Sequence, residues 1–253
     1  MKRILALIGV LALAGCATAT PAPAAPRDTL SGPITVFAAA SLTESFEQLK
    51  TEFLTDHPDV EITVNFGGSS ALAEQIVQGA PVDVFAAASP ATMATVVDAS
   101  LASDPADFVS NTLELVVPID NPGGVTALAD LEDPGLKVAF CAAEVPCGAA
   151  TATVLDATGL TITPDTYEQD VKAVLTKVEL GEVDAGLVYR TDVLAAGNGV
   201  KGIEFPEASE APNLYPIATL TESTNAAVAD AFVAWVLSEE GQVILRSWGF
   251  RAP

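Results

Sequence analysis

The chain has 253 residues, with 33 acidic side chains against 11 basic ones and a formal charge of −22. That balance excludes a nucleic-acid binder, which needs a basic footprint. Half the residues are hydrophobic, which excludes wholesale disorder and allows one large or two small packed domains. A single histidine and three cysteines cannot assemble the His and Cys cages that hold transition metals.

The chain opens with an address. Lys2-Arg3 is a short basic stretch, and Ile4 to Gly15 is apolar or small. That run is shorter than the roughly 20 residues a spanning helix needs and fits the apolar region of a signal peptide over residues 1–15. It ends in Leu13-Ala14-Gly15-Cys16, which resembles a bacterial lipobox, so Cys16 is the expected lipidation site. Residues 16–32 follow as a spacer. The stretch from Ala17 to Pro26 has three prolines and no large apolar side chain, which favours an extended tether. The expected location is outside the cytoplasmic membrane, held by lipid.

From residue 33 the hydrophobic pattern alternates between strand and helix. Ile34 to Ala40 is a buried-strand run, and Ser41-Leu-Thr-Glu44 has the capping-box spacing that starts a helix. Leu42, Phe46, Leu49 and Phe53 continue at helical spacing up to Pro58. Val60, Ile62, Val64 and Phe66 alternate as a strand, Ala71 to Gln78 is a helix, and Val82 to Ala87 is a further strand. This β-α-β-α-β order predicts an open, mostly parallel sheet. A second unit begins near Thr112. Its expected strands are Leu113–Pro118, Leu136–Phe140 and Ala185–Tyr189, with Ile203–Pro206 a further candidate. Its expected helices are Gly148–Ala157 and Asp170–Val178. Ala226–Leu237 and Gly241–Ser247 are the terminal helices, with Phe232, Trp235, Val236 and Trp248 as core.

In open α/β sheets ligands sit beyond the carboxyl ends of strands, where helix N-termini point. Four junctions here consist of small or donor-rich residues: Ala40-Ser41, Gly68-Ser69-Ser70, Pro146-Cys147-Gly148 and Asp170-Val171. Helix N-termini expose free N–H groups and a partial positive charge, so several aimed at one point make an anion site without a cationic side chain. The serines also fit ordinary N-caps, Gly67-Gly68 also fits a plain turn, and Tyr189 also fits a core aromatic. His57, in Thr55-Asp56-His57-Pro58-Asp59, suits a solvated turn better than a catalytic base. No Gly-x-Ser-x-Gly elbow surrounds Ser41 or Ser69, which weighs against a serine hydrolase.

Ile34 to Thr43, Phe66-Gly-Gly-Ser-Ser-Ala-Leu-Ala73 and Gly79-Ala-Pro-Val-Asp-Val-Phe85 closely resemble the extracytoplasmic molybdate-binding proteins of ABC importers. Val145-Pro-Cys-Gly148, Asp170-Val171, Gly186-Leu-Val-Tyr189 and Trp248-Gly-Phe250 continue the likeness in order. The resemblance implies an α/β two-lobed clamp whose chain crosses between lobes twice. Lobe one would be 33–112 with 219–253, and lobe two 113–218. It implies a binding protein and not an enzyme, with no cofactor and molybdate or tungstate as ligand. The metal would be held as its oxyanion, without direct metal ligands. It implies partnership with importer membrane and ATPase subunits, with the clamp itself a monomer.

Carried over by motif, the ligand positions are Ser41, Ser69, Cys147, Val171 and Tyr189. The serines would give hydroxyl and N–H groups, Cys147 and Val171 backbone N–H groups, and Tyr189 its phenol. The family often has a small residue where Cys147 stands. A donor-only pocket suits an anion without a proton and disfavours hydrogen phosphate. Sulfate remains the alternative ligand. With Cys16 lipidated, Cys141 and Cys147 remain as the expected disulfide in an oxidising compartment, the other reading being two buried thiols.

Overall fold

The computed structural model describes residues 30–253. The expected signal peptide, the expected lipidation site at Cys16 and the expected spacer up to residue 29 lie outside the described residues.

The first unit runs β1 (Gly32–Ala39), α1 (Thr43–Asp56), β2 (Val60–Gly67), α2 (Ser69–Val77), β3 (Val84–Ala86), α3 (Pro90–Asp98) and β4 (Ala106–Asn111). The second runs β5 (Leu113–Pro118), β6 (Val138–Cys141), α4 (Pro146–Thr158), β7 (Thr166–Glu168), α5 (Val171–Glu179), β8 (Ala185–Tyr189), α6 (Arg190–Ala196) and β9 (Val200–Ile203). The chain then returns with β10 (Asn213–Thr219), α7 (Ala226–Leu237) and α8 (Glu239–Ser247).

Two five-stranded sheets result, ordered β2-β1-β3-β10-β4 and β7-β6-β8-β5-β9. The expected parallel core is present, since β1 pairs in parallel with β2 and β3 and β6 with β7 and β8. Each sheet is mixed because one strand arrives from the other direction: β10 is antiparallel to β3 and β4, and β5 to β8 and β9. Thr112 alone separates β4 in the first sheet from β5 in the second, so the first crossing is one residue long. The second crossing differs from the sequence expectation. β10 belongs wholly to the first sheet, so the return falls between β9 and Asn213 and not at 218–219. Pro212 and Pro216 flank or interrupt this strand, and prolines read as loop in a sequence.

Burial follows from alternation. In β1, Ile34, Val36 and Ala38 face one side, packing with Phe46 and Phe53 of α1, Phe232 of α7 and Leu245 of α8. Phe37 faces the other side with Leu72, Ile76, Met93 and Val96 of α2 and α3. Phe46, Phe53, Phe108, Tyr215, Phe232 and Phe250 meet edge-to-face, each pair contributing about 0.5–1.5 kcal/mol beyond burial. Trp235 and Trp248 are only part-buried. Their indole N–H groups donate to the Leu49 carbonyl at 3.2 Å and to Gln48 Oε1 at 2.8 Å, which keeps both at the edge of the core.

Local chemistry sets the helix ends. Pro146 opens α4 and Gly159, in the left-handed region at φ 70°, ends it. Asp170 caps α5 by accepting the Ala173 N–H at 2.9 Å. The capping box expected at Ser41 does not form. Residues Ala40–Leu42 make a 3-10 turn and α1 starts only at Thr43, with no side-chain cap. The last strand of lobe two is also earlier than expected, ending at Ile203 where 203–206 was read. Among the described residues no helix is long and apolar enough to cross a membrane.

Candidate functional site

The four small-residue junctions converge. Ser41, Gly68 and Ser69 from lobe one and Cys147, Asp170, Val171 and Tyr189 from lobe two line one cavity between the sheets, with Ala88 beside them. Its empty space is about 230 Å³, counting what opens to solvent. All five sequence-derived ligand positions therefore lie on one wall or another of the same small chamber.

The donors come from the fold. Ser69 is the first residue of α2, Cys147 the second of α4 and Val171 the first of α5. N–H groups in a first helical turn have no intrahelical acceptor. Among the described residues no lysine, arginine or histidine lines the cavity, so its positive potential is that of helix N-termini and peptide N–H groups.

The side chains bear on the alternatives left by the sequence. Neither serine caps its helix. Ser69 Oγ accepts the Ala88 N–H at 3.0 Å, and Ser41 Oγ shares a hydrogen bond with Tyr215 Oη at 2.9 Å. Tyr189 is fully buried, as a core aromatic would be, yet its hydroxyl is engaged by Asn213 Nδ2 at 2.8 Å. Burial, with Tyr215 and Asp192 nearby, pushes the Tyr189 phenol well up; burial likewise pushes Tyr215 up. Both stay protonated and able to donate. Asp170 lines the cavity, but its carboxylate is occupied by the cap to Ala173.

Cys141 and Cys147 are joined Sγ to Sγ with their Cα atoms 5.7 Å apart. The bond spans the loop from the end of β6 to the first turn of α4. The Cys147 sulfur is thereby committed to Cys141, and its N–H remains for the cavity. Gly148 lets this loop close tightly, because a Cβ there would overlap the Ala142 carbonyl.

The lobes are in contact around the cavity. Ser70 Oγ donates to the Glu144 carbonyl at 2.8 Å. Lys172 Nζ reaches across to Glu44 Oε1 at 2.9 Å and within its own lobe to Asp192 Oδ1 at 3.2 Å. Burial raises the Asp192 carboxyl from 3.8 to about 6 against the pull of Lys172. Burial lowers the Lys172 ammonium, but Asp192 and Glu44 outweigh it and hold it above its usual value. At Gly68 the backbone comes so close to the Gln169 carbonyl of lobe two that a Cβ would overlap it.

His57 lies past the far end of α1, its ring tilted against Phe53 at 4.4 Å between ring centres. A 14-residue helix is about 20 Å long, so no Ser-His pair can form at Ser41. Among the described residues there is no group of three His, Cys, Asp or Glu able to hold a bare metal ion.

Sequence reading missed Asn213, Tyr215, Lys172 and Asp192. The first two sit on β10, hidden between prolines. The last two are charged residues one place from Val171 and three from Tyr189, and only the fold brings them together.

The family described as bacterial extracellular solute-binding protein matches residues 34–251. The molybdate-binding protein ModA of Mycobacterium tuberculosis is 42% identical over 247 residues, covering 96% of this chain and 94% of its own. The putative ABC transporter substrate-binding lipoprotein YvgL of Bacillus subtilis is 31% identical, covering 98% of this chain and 96% of its own. Among solved structures, the periplasmic molybdate-binding protein of Azotobacter vinelandii superposes with a TM-score of 0.77 at 21% identity, over 87% of this chain and 99% of that one.

Proposed function

The chain belongs to the bacterial extracellular solute-binding proteins, and we propose that the solute it captures is molybdate, for delivery to an ABC importer. It is a binding protein, not an enzyme. It works outside the cytoplasm with the membrane permease and ATPase subunits of that importer. The observation that carries the ligand assignment is the interlobe cavity lined by helix-start N–H groups, two serines and one tyrosine, with no cationic side chain among the described residues. A fully ionised dianion can only accept hydrogen bonds, and charge-assisted bonds from such donors are strong. The relationship to molybdate-binding proteins over nearly the whole chain supports the same ligand.

The finer parts of the reading follow. Ser41, Ser69, Cys147, Val171 and Tyr189 are the ligand contacts. Tungstate, of nearly the same size and charge, binds comparably. Cys16 carries a lipid that tethers the clamp to the outer face of the membrane, a reading supported by the lipobox-like sequence and by likeness to a lipoprotein. Cys141 and Cys147 form a disulfide in the mature protein. The lobes are the two sheets with their helices, hinged at Thr112 and in the segment before Asn213, and the clamp acts as a monomer.

Titration calorimetry with molybdate, tungstate, sulfate and phosphate tests this. Molybdate and tungstate bind tightly and alike. Sulfate is smaller and leaves donors unpaired at about 1–3 kcal/mol each, so it binds at least about tenfold more weakly. Sulfate binding as tightly as molybdate overturns the ligand assignment; absence of any oxyanion binding overturns the site.

A further inference from the structure

A hydroxyl can donate or accept, so a cavity lined with hydroxyls does not by itself choose between an ionised anion and a protonated one. The choice lies with the group behind each hydroxyl. Behind Tyr189 stands Asn213, buried at the start of β10. Its Nδ2 donates to the Ala88 carbonyl at 2.9 Å and to Tyr189 Oη at 2.8 Å. A carbonyl oxygen only accepts, which fixes the amide with its nitrogen end toward Ala88 and Tyr189. Having accepted from Asn213, Tyr189 has its own proton left to give, and the Tyr215 hydroxyl beside it is a competing acceptor until an anion enters the cavity. Ser69 is in the same state, because the Ala88 N–H that reaches its Oγ can only donate. One residue, Ala88, therefore backs Ser69 directly and Tyr189 through Asn213.

We propose that Asn213 is a specificity-determining positioning residue: its amide holds the Tyr189 hydroxyl as a donor, so that the cavity offers a hydrogen and not a lone pair there and turns away oxyanions that carry a proton. This rests on reading the cavity as an oxyanion site. Hydrogen phosphate and hydrogen arsenate carry the same double charge as molybdate and sulfate at mildly alkaline pH, but each needs an acceptor for its proton. The high buried phenols reinforce the arrangement, since neither tyrosine ionises to become that acceptor.

Asn213→Asp tests the inference with almost no change in size. A carboxylate oxygen accepts where the amide donated, so Tyr189 turns its proton back and presents a lone pair to the cavity. Asn213→Ala serves beside it, leaving Tyr189 free to point either way. Affinities for molybdate, sulfate and hydrogen phosphate are measured by calorimetry at mildly alkaline pH, with melting curves for each protein. In Asn213→Asp the molybdate-to-hydrogen-phosphate affinity ratio falls about 100-fold, and in Asn213→Ala about 10-fold. A residue with only a structural role depresses all three affinities together, and an unchanged ratio overturns the proposal. If Asn213→Asp does not fold, the ratio in Asn213→Ala decides. A wild-type protein that prefers sulfate to molybdate retires the molybdate assignment, and the sulfate-to-phosphate ratio then judges Asn213. Wild-type protein that binds hydrogen phosphate as tightly as either dianion, or that binds no oxyanion, overturns the proposal outright.

Discussion

Gly68→Ala separates folding from closure. Gly68 sits at φ −61° and ψ 125°, extended backbone that any residue adopts, so alanine introduces no strain within lobe one. Loss of a favourable helix-start glycine and the lower entropy of the unfolded alanine chain offset one another within about 1 kcal/mol. The melting temperature therefore stays close to wild type. Closure is another matter, because the new Cβ overlaps the Gln169 carbonyl across the gap. Lobe two must back away by about an ångström to restore van der Waals contact. A hydrogen bond of ordinary length stretched that far ceases to be one. The proposed donors carried by lobe two are the N–H groups of Cys147 and Val171 and the Tyr189 hydroxyl. Losing two of them at about 1.5–3 kcal/mol each, the range for charged partners, weakens molybdate by roughly 10²- to 10⁴-fold. Calorimetry reads the affinity, and small-angle scattering with and without molybdate reads compaction. Wild type compacts on binding, and the variant compacts less even at saturation. A variant that binds with wild-type affinity and compacts fully refutes the closure geometry.

Tyr189→Phe removes one donor to the anion and leaves an Asn213 hydrogen without its acceptor. Molybdate affinity falls about 10- to 150-fold, whereas Ser41→Ala, which keeps its N–H, falls less; equal affinity of Tyr189→Phe and wild type in calorimetry removes Tyr189 from the site. Lys172→Met strips Asp192 of its partner. The Asp192 carboxyl, already raised from 3.8 to about 6 by burial, then rises further, and the folded state takes up a proton before the unfolded chain does. In wild type its stabilising contribution is whole below pH 3.8 and is lost as pH climbs through about 6; in the variant the loss runs on to higher pH, so thermal melts show a variant deficit that opens above pH 6 and shrinks toward pH 5. A deficit independent of pH would mean that Asp192 does not sense Lys172. The Cys141–Cys147 bond closes a short loop and contributes about 2 kcal/mol by loop entropy. Thiol titration of the unfolded soluble domain without reductant finds no free thiol, and reduction lowers both the melting temperature and molybdate affinity. Two reactive thiols contradict the bond.

The residues that line the cavity were legible because their chemistry is local. A junction of small or donor-rich residues before a helix, as at Ser41, Ser69, Cys147 and Asp170-Val171, marks a place where free N–H groups face outward, whatever the rest of the chain does. The parallel cores of both sheets were legible from short apolar runs such as Ile34–Ala40 and Ala185–Tyr189. Strand β10 was not, because Pro212 and Pro216 imitate a loop, and so the second crossing was placed several residues late. Its residues Asn213 and Tyr215 support hydroxyls on Tyr189 and Ser41, partners 24 and 174 residues away in sequence. No spacing rule reaches that far. The capping box at Ser41 failed for a related reason. Its hydroxyl was drawn to Tyr215 and its supposed partner Glu44 to Lys172 across the cleft, so tertiary contacts outweighed a correct local pattern.

The most direct measurement is a crystal structure of the protein grown with molybdate, with diffraction recorded at the molybdenum edge. One strong anomalous peak is expected between the lobes. The oxygens around it should lie about 2.6–3.0 Å from donors on Ser41, Ser69, Cys147, Val171 and Tyr189, with no lysine, arginine or carboxylate in contact. A molybdenum peak elsewhere, or one coordinated directly by carboxylates, contradicts that expectation.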